Sequence, residues 1–522
     1  MNTNAIQRPT SLTPEFLESL VKRIPGSTGN TWKLTEVYTG DLLVELPQTS
    51  ADDIVQAFAD SRAAQQVWAS WPLRKRLKVL KKFHALVLEN QYLITDLIQA
   101  ESGKNRRMAF EESCDVPMGT SHYIKRARTL LKDRRHAGPV PVLSHSTEVR
   151  RPKGVVAIIA PWNFPFATGV SDTIPALIAG NGVVLKPDNK TALSPLFGVR
   201  LLEEAGIPPG LVQVVCGEGP DVGGPMLANA DYVMFTGSTA TGRIIGELAG
   251  KHLIDCCLEL GGKNPMLVLE DANVDEAVHA ALFGGFGNSG QICMHIERLY
   301  VHDSIYDEFR DKFVAETEKM SVGASYDFEP DMGSLVSVDH RDRVIAHVED
   351  AKDKGATVLT GGQSRPDLGP AFFEPTILEG VTQDMLAGTT ETFGPVVGLY
   401  RFSSDDEAIA LANDTDYGLN ASVWSTDKDR AQSVARRIDS GNVNINDIVA
   451  TAFASKGTPS GGLKQSGVGA RHGDQGLLKY TDAQNIAVLK KQVMEPQKDQ
   501  TYEAYAKQTQ LSLKLMRKTR FR

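Results

Sequence analysis

From Gly154 onward the chain repeats one rhythm. Short apolar runs rich in β-branched residues fall at 155–160, 183–186, 212–215, 232–235 and 256–260, and helix-length segments such as 194–205 and 239–248 separate them. Runs of four to six such residues suit strands buried on both faces. Strands that alternate with helices at this spacing imply βαβ units and a parallel sheet, so the fold class expected is α/β. Ligands of such sheets sit beyond the carboxyl ends of the strands, where turns lead into helices. Here those ends are Pro161-Trp162-Asn163, Lys186-Pro187-Asp188-Asn189 and Thr236-Gly237-Ser238.

The flanks read differently. Before Gly154 the chain looks helical after an irregular start. Ser50 and Asp53 form a capping-box pattern, and Ile54, Ala57 and Phe58 then share one face. Residues 73–100 continue in this style, with His84 a helical residue rather than a ligand, and residues 136–148 read as an extended arm. A second α/β stretch follows Gly261-Gly262. It has helices at 275–286 and 305–320, a strand at 299–301, and further elements at 396–402, 407–413 and 421–424. After Lys479 a strand-like run at 486–489 could pair with the arm near residue 140, across a subunit boundary or within one chain, before a polar end.

Length and charge exclude several classes. At 522 residues the chain exceeds one ordinary core, so about three domains are expected. The net charge of −8 argues against nucleic acid as the main partner. Five cysteines (Cys114, Cys216, Cys256, Cys257 and Cys293) without regular spacing make no disulfide framework, which points to a reduced cytoplasm. Adjacent Cys256 and Cys257 lack metal-site spacing, so no metal is expected. The N-terminal residues lack a secretory pattern, and no stretch of about 18 apolar residues offers a membrane span. The basic C-terminal run from Lys514 to Arg522 reads as a frayed, solvated end.

The residues that could carry chemistry are ambiguous one at a time. Gly237-Ser238 after a strand suits a phosphate at a helix N-terminus, yet a plain turn explains it equally well. No full Gly-x-Gly-x-x-Gly follows the first strand. Lys186 could meet a ribose or a phosphate, or simply be exposed. Asn163 could stabilise an oxyanion or form a turn. Glu391, in Glu391-Thr392-Phe393-Gly394-Pro395, has no reading of its own. Glu259, between Leu258 and Leu260, tends toward a raised pKa and suits a general base, as it would suit a structural salt bridge. Cys293 alone is more often structural than nucleophilic, although the polar, flexible-looking Asn288-Ser289-Gly290-Gln291 favours an exposed, usable thiol.

Their order resolves the ambiguity. Pro161-Trp162-Asn163-Phe164-Pro165, Lys186-Pro187, Gly237-Ser238, Glu259-Leu260-Gly261-Gly262-Lys263, Gly290-Gln291-Ile292-Cys293 and Glu391-Thr392-Phe393-Gly394-Pro395 occur in succession. Across about residues 35–490 the chain resembles the aldehyde dehydrogenase superfamily. Within it, Asp414-Thr415-Asp416-Tyr417-Gly418-Leu419-Asn420-Ala421-Ser422-Val423-Trp424 and Arg471-His472-Gly473 make the chain most similar to the actinobacterial, NADP-dependent succinate-semialdehyde dehydrogenases. The resemblance implies a Rossmann-like cofactor domain (1–135 and 153–261), a catalytic α/β domain (262–447), an oligomerisation arm (136–152 and 478–495) and a tail (496–522). Cys293 would attack the aldehyde, Asn163 and the Cys293 N–H would hold the oxyanion, and Glu259 would activate the hydrolytic water. Trp162, Asn163, Lys186, Pro187, Asp188, Asn189, Gly237, Ser238, Leu260, Glu391 and Phe393 would contact the cofactor. Where NAD-preferring relatives often carry Glu, the chain has neutral Asn189 followed by Lys190, which implies NADP, with NAD possible.

The implied partners are a small-molecule aldehyde and a second copy of the chain, as a homodimer or homotetramer. The arginines that better-known succinate-semialdehyde enzymes use for the substrate carboxylate are replaced by Ser171 and Gly287, which leaves His295 and Lys456 as substitutes. A second cysteine two residues after the nucleophile is replaced by His295, so no redox disulfide is expected there. The alternatives are a dehydrogenase for hydrophobic or aromatic aldehydes, a cysteine-thioester hydrolase without hydride transfer, and a non-catalytic structural protein. Acyl-CoA-forming relatives generally lack the Glu found here at 259.

Overall fold

A computed structural model of the chain describes residues 7–137, 144–449, 455–489 and 495–519. Residues 138–143 and 490–494 of the expected arm, and Arg520 and Arg522 of the basic tail, lie outside the described residues. The chain divides into two compact units, Met1–Leu130 with Pro152–Thr481, and Leu131–Arg151 with Asp482–Arg522.

The five apolar runs of the first unit form strands Val155–Ile159, Gly182–Lys186, Val212–Val214, Tyr232–Thr236 and Asp255–Glu259. They pair in parallel, in the spatial order Asp255–Glu259, Tyr232–Thr236, Val155–Ile159, Gly182–Lys186, Val212–Val214. The chain therefore builds outward from Val155–Ile159 to one side and then returns to build the other. That reversal leaves a crevice at the carboxyl ends of Val155–Ile159 and Tyr232–Thr236. Both sheet faces are covered, which is why the strands read as continuous apolar runs. Val155, Ala157, Val184 and Val233 are fully buried, packed with Ile54 and Phe58 of the helix Ala51–Ser70. The Ser50–Asp53 capping box that starts this helix is present. A sixth strand, Gly467–Val468, joins the edge antiparallel and sets Gly467 opposite Glu259.

Only residues 260–263 separate Glu259 from Asn264–Val268, the first strand of a second sheet in the same unit. Its order is Thr357–Thr360, Thr376–Glu379, Val396–Phe402, Ile296–His302, Asn264–Val268, Asn420–Trp424, Asn442–Ile445, and all but Thr357–Thr360 are parallel. The helices foreseen at 275–286 and 305–320 are Val274–Phe286 and Tyr306–Glu318. The strands Thr357–Thr360, Thr376–Glu379 and Asn442–Ile445 and the helix Val338–Asp353 were not foreseen. Each of those strands is only four residues long, too short to display a period.

In the second unit, Thr481–Leu489 pairs with Ser144–Pro152, which pairs with Arg134–Ala137. The expected partnership of the 486–489 run with the arm thus forms within one chain. The tail is a correction: residues 502–519 are a helix, Tyr502–Thr519, and not a frayed end. Its eighteen residues contain neither Gly nor Pro, and Glu503 and Lys507 pair at 2.8 Å one turn apart, so local propensity suffices where hydrophobic content is low. Among the described residues, no helix is long and apolar enough to cross a membrane.

Candidate active site

A cavity of about 300 Å³ opens at the crevice and is walled by both sheets of the first unit. Trp162 and Asn163 enter it from the end of Val155–Ile159, Gly237 and Ser238 from the end of Tyr232–Thr236, and Glu259 and Leu260 from the end of Asp255–Glu259. Cys293, Glu391 and Phe393 enter from the second sheet's side. The sheet topology therefore gathers residues that the chain spreads over more than two hundred positions.

Cys293 sits half-buried between the helix Val274–Phe286 and the strand Ile296–His302. The loop before it differs from the expectation of a flexible, exposed segment, because Asn288, Ser289, Gly290 and Gln291 are all buried. Most of their polar groups are satisfied internally, the buried Asn288 amide oxygen excepted. The Ser289 hydroxyl donates to the Gly333 carbonyl at 3.1 Å, and the Gln291 amide donates to Asn288 O at 3.0 Å while accepting from Val336 N–H at 2.9 Å. Asn288 and Ser289 hold left-handed φ of 51° and 56°. Gly290 is required outright: its φ is 72°, and a Cβ there would lie 2.0 Å from the Gly394 carbonyl oxygen. Such a segment presents its thiol from a rigid frame.

Burial pushes the Cys293 thiol up to about 12, against a downward pull from Arg471, with Glu259 and Glu391 adding to the rise. Glu259 is 8% exposed, and burial raises its carboxyl to about 7, with Arg471 and Lys479 pulling back. The nucleophile candidate is thus held as the neutral thiol. The base candidate is poised near neutrality, where proton exchange costs least.

Asn163 is buried, and one of its two amide hydrogens goes to the Gln291 carbonyl at 3.0 Å, which ties the amide to the Cys293 loop. The second hydrogen is the donor an oxyanion would use. Its backbone is anchored too, because Lys104 Nζ donates to the Asn163 carbonyl at 2.7 Å and pairs with Glu112. Glu112 in turn accepts the N–H groups of Phe166 and Ala167 in the first turn of the helix Pro165–Ala179. Lys104 and Glu112 are essentially inaccessible to solvent.

Glu391 accepts from Gly262 N–H at 2.9 Å, and burial raises its carboxyl to about 8. The approach is close: a Cβ on Gly261 would fall 2.4 Å from the Glu391 carboxylate. Phe393 and Trp162 meet edge-to-face at 5.4 Å, and His340 completes the aromatic group by hydrogen bonding the Phe393 carbonyl at 2.7 Å. Ser238 caps the helix Thr239–His252 through Thr241 N–H. Lys186, Pro187, Asp188 and Asn189 lie at the end of the neighbouring strand and do not line the cavity. The Asn189 amide oxygen there accepts from Gly217 N–H at 3.1 Å.

The substrate side holds residues that sequence reading singled out weakly or missed. Ser171 donates to Asp115 at 2.6 Å, Lys456 pairs with the same carboxylate, and Lys456 Nζ lies 3.0 Å from His472 Nε2. Gly287 begins the buried 3-10 turn Gly287–Gly290 and presents no side chain to the cavity. His295 is no candidate for a substrate carboxylate, because its ring is buried against the Gly285 carbonyl and Glu297, off the cavity wall. Arg471, paired with Asp172 at 2.7 Å and bonded to Thr236, was missed as a site residue, as were Asp172 and Lys479. Nothing local marks them, since the strand pairing of Gly467–Val468 is what carries Arg471 toward Glu259.

The chain is similar in sequence and fold to known proteins. The protein called "Putative succinate-semialdehyde dehydrogenase [NADP(+)]" of Mycolicibacterium smegmatis is 47% identical over 463 residues, covering 89% of this chain and 90% of its own length. The 3-sulfolactaldehyde dehydrogenase of Pseudomonas putida is 34% identical, covering 89% and 95%. Among solved structures, an aldehyde dehydrogenase from Brucella melitensis biovar abortus superposes with a TM-score of 0.86 at 33% identity, covering 91% of this chain and 99% of its own. Betaine aldehyde dehydrogenase from Staphylococcus aureus in complex with NAD+ does so with 0.86 at 31% identity, covering 92% and 98%. The family model described as the aldehyde dehydrogenase family matches residues 24–486, and the chain belongs to that family.

Proposed function

We propose that the chain oxidises an aldehyde carrying an anionic group at its far end, with succinate semialdehyde the leading substrate, to the carboxylic acid with NADP as oxidant. The observation that carries this is one cavity holding Cys293, Glu259 near neutrality and the tethered Asn163 amide. The two relatives named above are called after succinate semialdehyde and 3-sulfolactaldehyde, aldehydes that end in a carboxylate and a sulfonate. Lys456 and Arg471 line the same cavity, each paired with a carboxylate, Asp115 and Asp172, that lines it too.

The residues present suit a dinucleotide. Glu391 is a half-buried carboxyl with a raised pKa, and a ribose hydroxyl would supply a donor to it. The N-terminus of the helix Thr239–His252 suits a phosphate. Asn189 is neutral and followed by Lys190, a pair that does not repel a 2′-phosphate. Bound there, an oxidised nicotinamide supplies acceptance of a hydride.

The chain's own residues do the rest. Loss of the Cys293 proton to Glu259 or water frees a thiolate, whose sulfur adds to the aldehyde carbon as the carbonyl π bond breaks. Asn163 and the Cys293 N–H hold the resulting oxyanion. Once hydride has left, the carbonyl re-forms as a thioester, and a Glu259 that took the cysteine proton gives it up to solvent. The Glu259 carboxylate takes a proton from water, the water oxygen adds to the thioester, and the C–S bond breaks to release the acid and the sulfur.

The test is a panel of carboxylated, sulfonated, aliphatic and aromatic aldehydes with NADP and with NAD, followed at the reduced-cofactor absorbance band. The highest kcat/KM is expected for succinate semialdehyde with NADP. A preference for aromatic or aliphatic aldehydes would sink the substrate reading, and a clear preference for NAD the cofactor reading.

A further inference from the structure

Behind the cavity lies a buried ion pair that the chemistry above does not use. Lys263 follows Gly261-Gly262 after the base, and Glu297 is the second residue of the strand Ile296–His302, four residues past Cys293. Their side chains are 1% and 2% exposed, and they pair directly. Both also reach one turn. Lys263 Nζ donates to the Thr390 carbonyl at 2.9 Å. The Glu297 carboxylate accepts from Thr392 N–H at 2.9 Å and from Phe393 N–H at 3.0 Å. Between these contacts Glu391 accepts from Gly262 N–H at 2.9 Å.

The turn at 390–393 needs such support. Phe393 holds φ of 55°, a left-handed conformation that an aromatic residue rarely adopts and that persists only where its surroundings over-determine it. The Glu297 carboxylate supplies that determination by capping two successive N–H groups.

We propose that the Lys263–Glu297 pair is a positioning device that locks the 390–393 turn in the conformation that presents Glu391 and Phe393 to the dinucleotide, and that ties this turn to both catalytic segments. Glu297 reaches it from the nucleophile's side of the chain and Lys263 from the base's side. Burial would raise the Glu297 carboxyl, but Lys263 and His295 hold it well below the usual carboxylate range. Its neighbour Glu391, raised by burial to about 8, accepts from Gly262 N–H through one oxygen and keeps acceptor capacity for a ligand. The inference rests on the reading that Glu391 and Phe393 face the cofactor.

The test uses the full-length protein with Glu297→Gln, and Lys263→Met/Glu297→Gln to remove the stranded lysine charge should the single variant not fold. Hydrogen exchange at Thr392 and Phe393 is measured without nucleotide, and NADP affinity by quenching of protein fluorescence, with Trp162 5.4 Å from Phe393 as the local reporter. Both amides are expected to exchange faster. The Kd and KM for NADP are expected to rise about tenfold to a hundredfold, the scale of a lost charged hydrogen bond, with kcat at saturating NADP nearly unchanged. The rate at which iodoacetamide alkylates Cys293 in nucleotide-free protein should stay the same. A folded variant with wild-type exchange and wild-type Kd overturns the proposal, and so does one in which alkylation and kcat collapse together with KM. If the unmodified protein binds neither NADP nor NAD, the cofactor reading itself fails. If it binds normally and the variants match it, only the lock fails.

Discussion

Two buried places in the first unit treat charge in opposite ways. At Lys263–Glu297 the carboxylate has a lysine and backbone donors and is held well below the usual carboxylate range, and Glu112, although raised by burial, has partners of the same kind in Lys104 and two N–H groups. Glu259 is buried and Cys293 half-buried, and Glu259 has the Cys257 thiol, 4.0 Å away, where Glu297 has a lysine and two N–H groups. The carboxyl drifts up to about 7 and the thiol up to about 12. A buried charge with a full set of partners serves geometry, and removing one partner is costly. A buried group without them loses its preference for the charged form and becomes able to exchange protons.

The largest expected effect breaks the reactive end of this comparison. Cys293→Ala should lower turnover on the order of 10⁶-fold, the scale of losing a covalent nucleophile, while NADP binding by fluorescence stays intact. Retained turnover would remove Cys293 from its role. Glu259→Gln should lower steady-state turnover by about 10²- to 10⁴-fold, and stopped-flow absorbance should show one burst of reduced cofactor per site before the stall. Undiminished steady turnover would exclude Glu259 as the base.

Stability sharpens the contrast. Glu259→Gln removes a poorly compensated acid and should leave the urea midpoint unchanged or raised. Lys104→Met strands the Glu112 carboxylate and should cost about 3–5 kcal/mol. Equal losses in the two variants would erase the distinction.

The pH dependence follows from the same carboxyl. Below about 7 Glu259 is protonated and cannot accept a proton, so kcat/KM should fall as pH drops through that value and level off above it. A flat profile between pH 5 and 8 would contradict the assignment. The smallest effect belongs to the cofactor. Asn189→Glu places a carboxylate beside Lys190 and should shift kcat/KM toward NAD by roughly tenfold, about 1.4 kcal/mol.

Much of the fold was legible because its signals are short-range. The five apolar runs became the five parallel strands of the first sheet within a residue or so at each end, and the Ser50–Asp53 cap formed as its spacing implied. The four-residue strands of the second sheet were not legible, because four residues cannot show a period. The loop before Cys293 was misread because its polar composition resembles a solvated turn, whereas Gln291 and Ser289 satisfy those groups inside the protein. The described part of the basic C-terminal run was misread because its clustered charges were taken for a frayed end, although the helix Tyr502–Thr519 lacks any helix breaker.

By itself the sequence determined the α/β class, the order of the motifs and the pairing of one thiol with one carboxylate, because strand periodicity and motif spacing act over a few residues at a time. Tertiary structure alone decided the protonation of that pair, the company of Arg471 and Asp172, and the Lys263–Glu297 lock on the strained turn at Phe393. Those properties depend on burial and on partners that sheet crossovers bring from far along the chain, and no local pattern of residues encodes who the partner is.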